Sequence, residues 1–329
     1  MSLNNTEKER IWLDIKQEVN KNKKSVISWE EFEKRVNQKP ERVLRNIFQY
    51  NSDMIDKYVG DGIDEYPEDP ENINYVYYDT SQLFEKTYEP FFSDRLFSNR
   101  FMNIFSQLRG ARQNKIYLIK GPHGSGKSTF LNNYLKSLEE YSKTEEGELY
   151  TITWVLDKDK LGYSREENES KKIEIPCPNN DNPFFLIPPN LRVEWLIHQL
   201  NFENTKIEKK MLYDKEYEWL FWKEPCAICS SIFNAILSIT NNPDDIFNMV
   251  KAKRFFFNRK LGEGISVYNP SDEISGTKIK RDENIQKELD NIFGSGKVDY
   301  SYSKEFAKVN NGVYGLMDTI DWNENRFYY

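Results

Sequence analysis

Helical spacing of apolar residues is the first pattern along the chain. Ser28 and Glu31 have the spacing of a helix-initiating capping box, and apolar residues then recur every three or four positions up to Pro40. Residues 42–58 repeat this amphipathic pattern. The pattern predicts an N-terminal helical region over residues 1–59.

The chain becomes strongly polar in residues 60–74, which are acidic and contain several glycines and prolines. Such a composition is typical of a solvated loop, and the alternative is a negatively charged contact surface. Next comes an aromatic-rich stretch, in which Phe101 and Phe105 share one face of a predicted helix over 98–110. We expect these aromatic side chains to lie in the core, and the alternative is that one of them packs near an adenine.

The middle of the chain has a different spacing of apolar residues. A short apolar run over 115–120 predicts a buried strand, and residues 127–141 have the spacing of an amphipathic helix. Residues 149–157 are rich in β-branched and aromatic side chains and predict a second central strand. This order predicts an α/β fold that begins a parallel, doubly wound sheet, with residues 75–157 as its first half.

Residues 158–299 do not repeat this alternation, and we predict that they form a large, mostly helical insertion. Helices are predicted over 192–204, 213–237 and 246–257. The last segment, 300–329, contains an apolar run that ends in a carboxylate and predicts one further strand of the sheet.

Composition limits the classes of function. The chain has 53 acidic and 46 basic residues and a net charge of −7, which argues against a general nucleic-acid binder. No apolar run approaches the ~20 residues that cross a membrane, and the polar N-terminus does not resemble a signal peptide. Three cysteines in 329 residues do not form a disulfide framework. We therefore expect a cytoplasmic protein that does not bind a membrane.

The stretch Gly121–Ser128 matches G-x-x-x-x-G-K-[ST], the phosphate-binding loop of P-loop NTPases. Its position between a predicted strand and a predicted helix is the context that this chemistry requires. The glycines let consecutive backbone N–H groups surround a polyphosphate, and the helix adds the positive end of its dipole. The loop therefore predicts bound Mg²⁺–ATP. The residues expected to contact it are Gly121, Pro122, His123, Gly124, Ser125, Gly126, Lys127, Ser128 and Thr129.

Several side chains have expected roles at this site. Lys127 would neutralise the β- and γ-phosphates during catalysis, and the Ser128 hydroxyl would bind Mg²⁺. His123 is either a base or, as we expect, an exposed imidazole. A P-loop enzyme also needs a carboxylate at the end of a neighbouring strand, and Asp157 and Asp318 fit this pattern about equally. Neither is followed by a second carboxylate that would polarise water, so the pattern does not predict strong ATP hydrolysis.

The cysteines offer a second candidate chemistry. Cys226 and Cys229 form one C-x-x-C pair, and with Cys177 and His198 they would complete a Cys₃His zinc site. A single pair is a weak signal, so small buried cysteines within helices are the preferred interpretation. A group of basic residues either contacts phosphate or nucleic acid or, as we prefer, lies on a solvated helix face. The group consists of Lys251, Lys253, Arg254, Arg259 and Lys260.

Taken together, these stretches resemble the AAA domain of the PrkA family, bacterial proteins described as serine protein kinases. The resemblance rests on the loop in its GPxGxGKS form, on Cys177–Pro188 and on Asn310–Asp318. The loop is generic, whereas the other two stretches are specific to the family. Shorter stretches that agree with it are Ser28–Phe32, Arg95–Arg100, the Cys226 and Cys229 pair, Val250–Arg254 and Gly262–Pro270.

The resemblance implies an AAA-type P-loop NTPase in which Asp318 is the Mg²⁺-side acid and Asp157 is structural. PrkA-type proteins continue through a sensor strand, an arginine finger, a helical lid and a kinase-like domain. We therefore expect this chain to be a fragment, a truncated product or one half of a split system.

The implied function is the Mg²⁺–ATP-binding portion of a PrkA-type serine protein kinase, with a protein substrate and self-association as an AAA oligomer. The first alternative is an ATPase that remodels or degrades proteins. The second is an ATP-sensing scaffold with little turnover.

Overall fold

The structure is a computed structural model of mixed α/β type. It describes residues 12–13, 26–68, 76–107, 109, 119–163, 170–199, 205–240, 242–258, 265–267, 278–304 and 314–316.

Helices account for much of the described chain. They are α1 (Trp29–Gln38), α2 (Pro40–Val43), α3 (Ile47–Tyr58), α4 (Ser81–Phe84), α5 (Arg95–Ser106), α6 (Lys127–Lys143), α7 (Arg192–Gln199), α8 (Thr205–Tyr213), α9 (Trp219–Trp222), α10 (Ala227–Thr240), α11 (Pro243–Asn248) and α12 (Glu283–Phe293).

The strands are shorter and are spread along the chain. They are β1 (Val26–Ser28), β2 (Ile63–Asp64), β3 (Val76–Tyr77), β4 (Tyr150–Asp157), β5 (Lys172–Pro176), β6 (Val250–Arg254), β7 (Ile265–Val267), β8 (Lys278–Arg281), β9 (Ser301–Lys304) and β10 (Tyr314–Leu316).

A four-stranded sheet in the order β1-β6-β4-β5 joins distant parts of the sequence. All of its pairings are antiparallel. Trp154 on β4 lies between Ile175 on β5 and Val250 on β6. The remaining strands form antiparallel pairs, namely β2 with β3, β7 with β10 and β8 with β9.

Side-chain caps determine where the first long helices begin. Ser28 accepts a hydrogen bond from the backbone N–H of Glu31 (3.2 Å), which confirms the predicted start of α1. Asn46 and Gln49 form a reciprocal capping box at the start of α3, with N···O distances of 2.9 and 2.8 Å.

Helix α6 is anchored by its apolar face. Phe130, Tyr134 and Leu138 are buried against residues of α3, α4 and α5 in one hydrophobic cluster. Burying each large apolar side chain contributes roughly 1.5–3 kcal/mol. The prediction that the aromatic stretch lies in the core is confirmed for Phe101, whereas Phe92 is 73% exposed.

A second cluster covers one face of the four-stranded sheet. Ile152, Trp154 and Leu156 alternate along β4, so their side chains share a face, and all three are fully buried. They pack with residues of α10 and α12, including Ile232 and Leu289. This cluster surrounds the cysteines discussed below.

Two helix predictions in the second half of the chain are wrong in part. Residues 246–257 do not form one helix, because α11 ends at Asn248 and residues 250–254 form the strand β6. The alternating burial of Val250 and Ala252 between two partner strands explains the difference. The predicted helix over 213–237 is interrupted between α9 and α10 by residues 223–226, which include Pro225.

The predicted parallel sheet is not shown by the described residues. Both edges of β4 are occupied by antiparallel neighbours, and residues 115–118 of the predicted first strand lie outside the described residues. The prediction is wrong for Ile119 and Lys120, which form no strand and are exposed. The sheet also draws strands from three of the segments into which the sequence was divided, namely β1, β4 and the pair β5 and β6.

None of the described helices combines the length with the apolar character that crossing a membrane requires.

Candidate functional site

The predicted phosphate-binding loop, residues 121–129, turns sharply just before α6. Gly124 and Gly126 have φ angles of +76° and +79°, the left-handed region that glycine adopts without strain. Gly126 is the residue that caps α6. A Cβ atom added there would lie 3.1 Å from Cε2 of Phe91, so an aromatic ring closely packs the back of the loop.

The Lys127 side chain folds into the loop. Its Nζ donates hydrogen bonds to the carbonyl oxygens of Gly121 (2.8 Å) and Pro122 (2.7 Å) and to Oγ of Ser125 (3.2 Å). The ammonium group is therefore held by loop oxygens rather than by a carboxylate. A phosphate group entering the loop would offer it anionic acceptors, which form stronger hydrogen bonds than neutral carbonyls.

The N-terminus of α6 is open to an anion. The helix is 17 residues long. Its N-cap residue is Gly126, which has no side chain that could accept a hydrogen bond from the N–H groups of the first turn. The backbone N–H of Phe130 donates to the carbonyl oxygen of Gly126 (2.8 Å), so the N–H groups of Lys127, Ser128 and Thr129 precede the first intrahelical bond. Free N–H groups at the positive end of a helix dipole form an anion site.

The remaining loop residues are accessible. Pro122, His123 and Ser128 are exposed, so the Ser128 hydroxyl is available to a ligand. The carbonyl oxygen of Thr129 accepts a hydrogen bond from Nδ2 of Asn133 (2.8 Å), which belongs to the first turns of α6.

A group of phenylalanine rings supports the loop from below. Phe130 makes edge-to-face contacts with Phe91, Phe97 and Phe84, with ring centroids 5.5, 5.0 and 5.1 Å apart. Such contacts contribute about 0.5–1.5 kcal/mol each beyond the burial of apolar area. The position of the loop is therefore fixed by packing behind it.

Of the two carboxylates considered for the Mg²⁺ site, the structure describes Asp157. Asp157 is buried at the end of β4, where its Oδ2 lies 3.9 Å from Nζ of Lys171. Its Oδ1 has no hydrogen-bond partner among the described residues, and no hydrogen bond or ion pair in that part of the chain joins Asp157 to the loop. Asp318 lies outside the described residues.

The three cysteines meet at a second location. The sulfur atoms of Cys177, Cys226 and Cys229 and a carboxylate oxygen of Asp181 all lie within 4.8 Å of one another. All four residues are buried. We call this group the cysteine–aspartate cluster. The prediction that the cysteines are buried is confirmed, but Cys177 follows β5 and does not lie within a helix. His198, the possible fourth zinc ligand, is exposed on α7 and is not a member of this group.

A tight turn after β5 brings Cys177 and Asp181 together. Asn180 adopts a positive φ of 55°, which reverses the chain. Cys177 donates its backbone N–H to the carbonyl oxygen of Ile152 (2.9 Å), and the carbonyl oxygen of Asp181 accepts from the N–H of Ile152 (2.9 Å). Both polar groups of one residue in β4 therefore fix the turn.

The other two cysteines come from the start of α10. The backbone N–H of Cys226 donates to Oδ2 of Asp181 (2.7 Å), which joins the turn to the helix. Cys229 lies in the first turn of α10, and its backbone N–H donates to Sγ of Cys226 (3.4 Å). The C-x-x-C spacing thus places both sulfur atoms at one end of the helix.

Each sulfur atom of the cluster accepts an N–H group. The backbone N–H of Asp181 donates to Sγ of Cys177 (3.3 Å), and Nε1 of Trp154 donates to Sγ of Cys229 (3.5 Å). With the bond from Cys229 to Cys226, all three sulfur atoms have such a donor. Donors of this kind stabilise thiolates.

Burial opposes ionisation at the same place. Desolvation raises the pKa of Cys177 and of Cys229 well above the ordinary value, and the hydrogen bond that the Cys226 thiol donates to Sγ of Cys177 raises the pKa of Cys226. Desolvation also raises the pKa of Asp181, and the positive charge of Lys223 acts in the opposite direction.

Sequence reasoning missed Asp181. The available signal was the spacing Cys177-x-x-x-Asp181 within a stretch of Pro and Asn, which are turn formers. A turn of this length returns the chain on itself and can bring both side chains to one point.

Comparison with protein-family models, with curated proteins and with solved structures gave no match.

Proposed function

We propose that the chain binds Mg²⁺–ATP at residues 121–129. The observation that supports this most directly is the meeting of two features in one glycine loop. The Lys127 ammonium lies inside the loop, and the uncapped N-terminus of α6 follows it directly. Both features favour a polyphosphate.

Magnesium fits the donor set of the loop. The exposed Ser128 hydroxyl is an oxygen ligand of the kind that Mg²⁺ accepts, and Asp318 is proposed as the acid that holds the ion from a neighbouring strand. The ion would neutralise charge on the phosphates. In this proposal, residues 115–118 belong to the first strand of a parallel P-loop sheet.

The proposed class is an AAA-type P-loop NTPase, the ATPase portion of a PrkA-type serine protein kinase. A protein substrate, self-association and a cytoplasmic location belong to this proposal. It rests on the loop geometry together with the motif stretches given above. The absence of a family match leaves those stretches as the sole basis for the kinase assignment.

A second candidate is an ATP sensor with little turnover. It is favoured by the residues that follow the two candidate acids, since Lys158 follows Asp157 and Thr319 follows Asp318, and neither is the adjacent carboxylate that would polarise water. Release of labelled phosphate and its transfer to a protein substrate separate the candidates. Transfer supports the kinase, release without transfer supports a remodelling ATPase, and binding with neither supports the sensor.

Replacement of Lys127 tests the nucleotide site itself. Lys127→Ala removes a charged donor to the phosphates and should weaken ATP binding by about 10- to 100-fold. Calorimetric titration of the purified chain with Mg²⁺–ATP measures the change. The matched control is Lys136→Ala on the same helix, where the lysine is half-buried and its Nζ lies 3.8 Å from Oε1 of Glu140. Unchanged affinity in Lys127→Ala would show that the nucleotide site is assigned wrongly.

A further inference from the structure

We propose that Cys177, Cys226, Cys229 and Asp181 form a structural zinc site. The proposal uses residues that the nucleotide site does not, so the two proposals can fail separately. Three thiolates and one carboxylate are a ligand set that zinc accepts, whereas the sulfur atoms disfavour Mg²⁺ and Ca²⁺.

The distances agree with a tetrahedral ion. For Zn–S bonds near 2.3 Å, two sulfur ligands of a tetrahedral site lie about 3.8 Å apart. The sulfur atoms of Cys177 and Cys226 are 3.8 Å apart. With a Zn–O bond near 2.0 Å, the sulfur-to-oxygen separation is about 3.5 Å. The distance from Sγ of Cys177 to Oδ2 of Asp181 is 3.7 Å.

A disulfide does not explain the arrangement. A disulfide requires a sulfur–sulfur distance of about 2.05 Å and joins two cysteines only. Here three cysteines converge with a carboxylate, and all three are free thiols. A redox C-x-x-C pair would also leave the nearby Cys177 and Asp181 without a role, since that chemistry needs two sulfur atoms and access to a partner.

The hydrogen bonds around the sulfur atoms are those of a metal site. Metal-bound ligands are oriented by outer donors and acceptors. Each of the three sulfur atoms accepts one N–H group. The donors are the backbone N–H of Asp181, the backbone N–H of Cys229 and the indole N–H of Trp154. Once the thiols are deprotonated, four negatively charged ligand atoms within 4.8 Å of one another would repel one another, and a cation between them removes this repulsion.

The site is closed, which assigns it a structural role. Four protein ligands complete the tetrahedron that structural zinc adopts, so no position is left for water or substrate. All four residues are buried beneath the sheet cluster. The ion would join the turn after β5 to the start of α10, and each thiol would lose its proton to solvent on binding.

The first test measures the metal in the unmodified 329-residue chain. Protein purified without chelators should contain about one zinc ion per chain. Replacement by Co²⁺ should give the intense visible bands of tetrahedral cobalt and thiolate-to-cobalt charge transfer. Removal of zinc by a chelator should lower the thermal unfolding midpoint. A folded chain that carries less than about a tenth of an equivalent of zinc and takes up no cobalt would overturn the proposal.

Variants test the ligand set. Cys229→Ser and Asp181→Asn should each lower zinc affinity by about 100-fold or more, beyond the loss typical of outer-shell partners. Asp181→Asn keeps an oxygen acceptor for the Cys226 N–H and so preserves that contact. The matched control is Asp244→Asn, an exposed position on α11, which should bind zinc as the unmodified chain does. Undiminished zinc affinity in Asp181→Asn would remove the carboxylate from the site and overturn the four-ligand assignment.

Discussion

The proposed phosphate-binding loop and the cysteine–aspartate cluster are built in opposite ways. The loop uses nine consecutive residues, is largely exposed and is shaped by glycines at positive φ. The cluster collects residues from the turn after β5 and the start of α10, and Asp181 and Cys226 are 45 positions apart. One site is therefore determined by local backbone conformation and the other by the packed core.

This difference predicts that different substitutions disrupt the two sites. A defect in the sheet should remove the cluster, because Ile152 and Trp154 hold its parts in place. A defect in a glycine should affect the loop alone. The tests below follow from this contrast.

The largest effect is expected from Trp154→Ala. The indole is fully buried in the sheet cluster, so its removal should destabilise the fold by about 3–5 kcal/mol. Denaturant unfolding measures this change, and cobalt uptake measures the cluster.

Trp154→Phe separates packing from hydrogen bonding. It keeps an aromatic ring in the core and loses only the N–H donor to Cys229, so we expect metal affinity to fall about 10-fold at a smaller cost in stability. If Trp154→Ala left stability unchanged, the claim that the packed core determines the cluster would be contradicted.

A smaller effect is expected from Gly124→Ala. Forcing an L-residue into the left-handed region costs about 1–2 kcal/mol, and any relaxation of the loop displaces its N–H groups. We expect ATP affinity to fall about 10-fold while cobalt uptake stays unchanged.

Gly162→Ala is the matched control for Gly124→Ala. Gly162 has the same φ of +76°, and a Cβ atom at either position would meet nothing within 4 Å. Both variants should lose similar stability, and only Gly124→Ala should lose nucleotide affinity. Equal ATP binding in the two variants would contradict the role of the loop conformation.

The smallest effect concerns the turn between α6 and β4, which belongs to neither site. The hydrogen bond from Lys57 lowers the pKa of Glu146 below its ordinary value of 4.5. The folded state therefore holds this proton less tightly than the unfolded state does. The ion pair's contribution to the free energy of unfolding is therefore fully present above pH 4.5, and it is lost as the pH falls through the lower pKa that Glu146 has in the folded state.

Glu146→Gln should remove this part of the acid sensitivity. The carboxylate and the ammonium are 44% and 34% exposed, so solvent screening limits the effect to about 0.5 kcal/mol or less. Unfolding free energies measured at about pH 7 and about pH 3.5 give the difference. Both ligand sites should stay intact, and a loss of either would mean that the turn couples them.

The sequence predicted what depends on local chemistry. The loop, the cap at Ser28 and the apolar face of α6 each follow from residues within a few positions of one another. The mixed α/β character is confirmed at this coarse level.

Long-range pairing explains what was missed. Lys251 and Lys253 suggested a helix face, but Val250 and Ala252 are buried between β1 and β4, and that alternation has meaning only once the partner strands are known. Asp181 was missed for the same reason, since its partner Cys226 lies far along the chain. Periodicity identifies elements and does not determine their neighbours.

The hydrogen bond between Asp181 and Cys226 has a consequence for the chain between them. It closes the intervening segment, with α7, α8 and α9, into a ring 45 residues long. Because this hydrogen bond breaks on unfolding, the entropic cost of closing the ring is paid when the chain folds, and that cost grows only with the logarithm of the ring's length. Doubling the length of the ring would add only about 0.6 kcal/mol to this closure cost. The segment between Asp181 and Cys226 can therefore vary in length at little energetic cost while its two ends stay fixed.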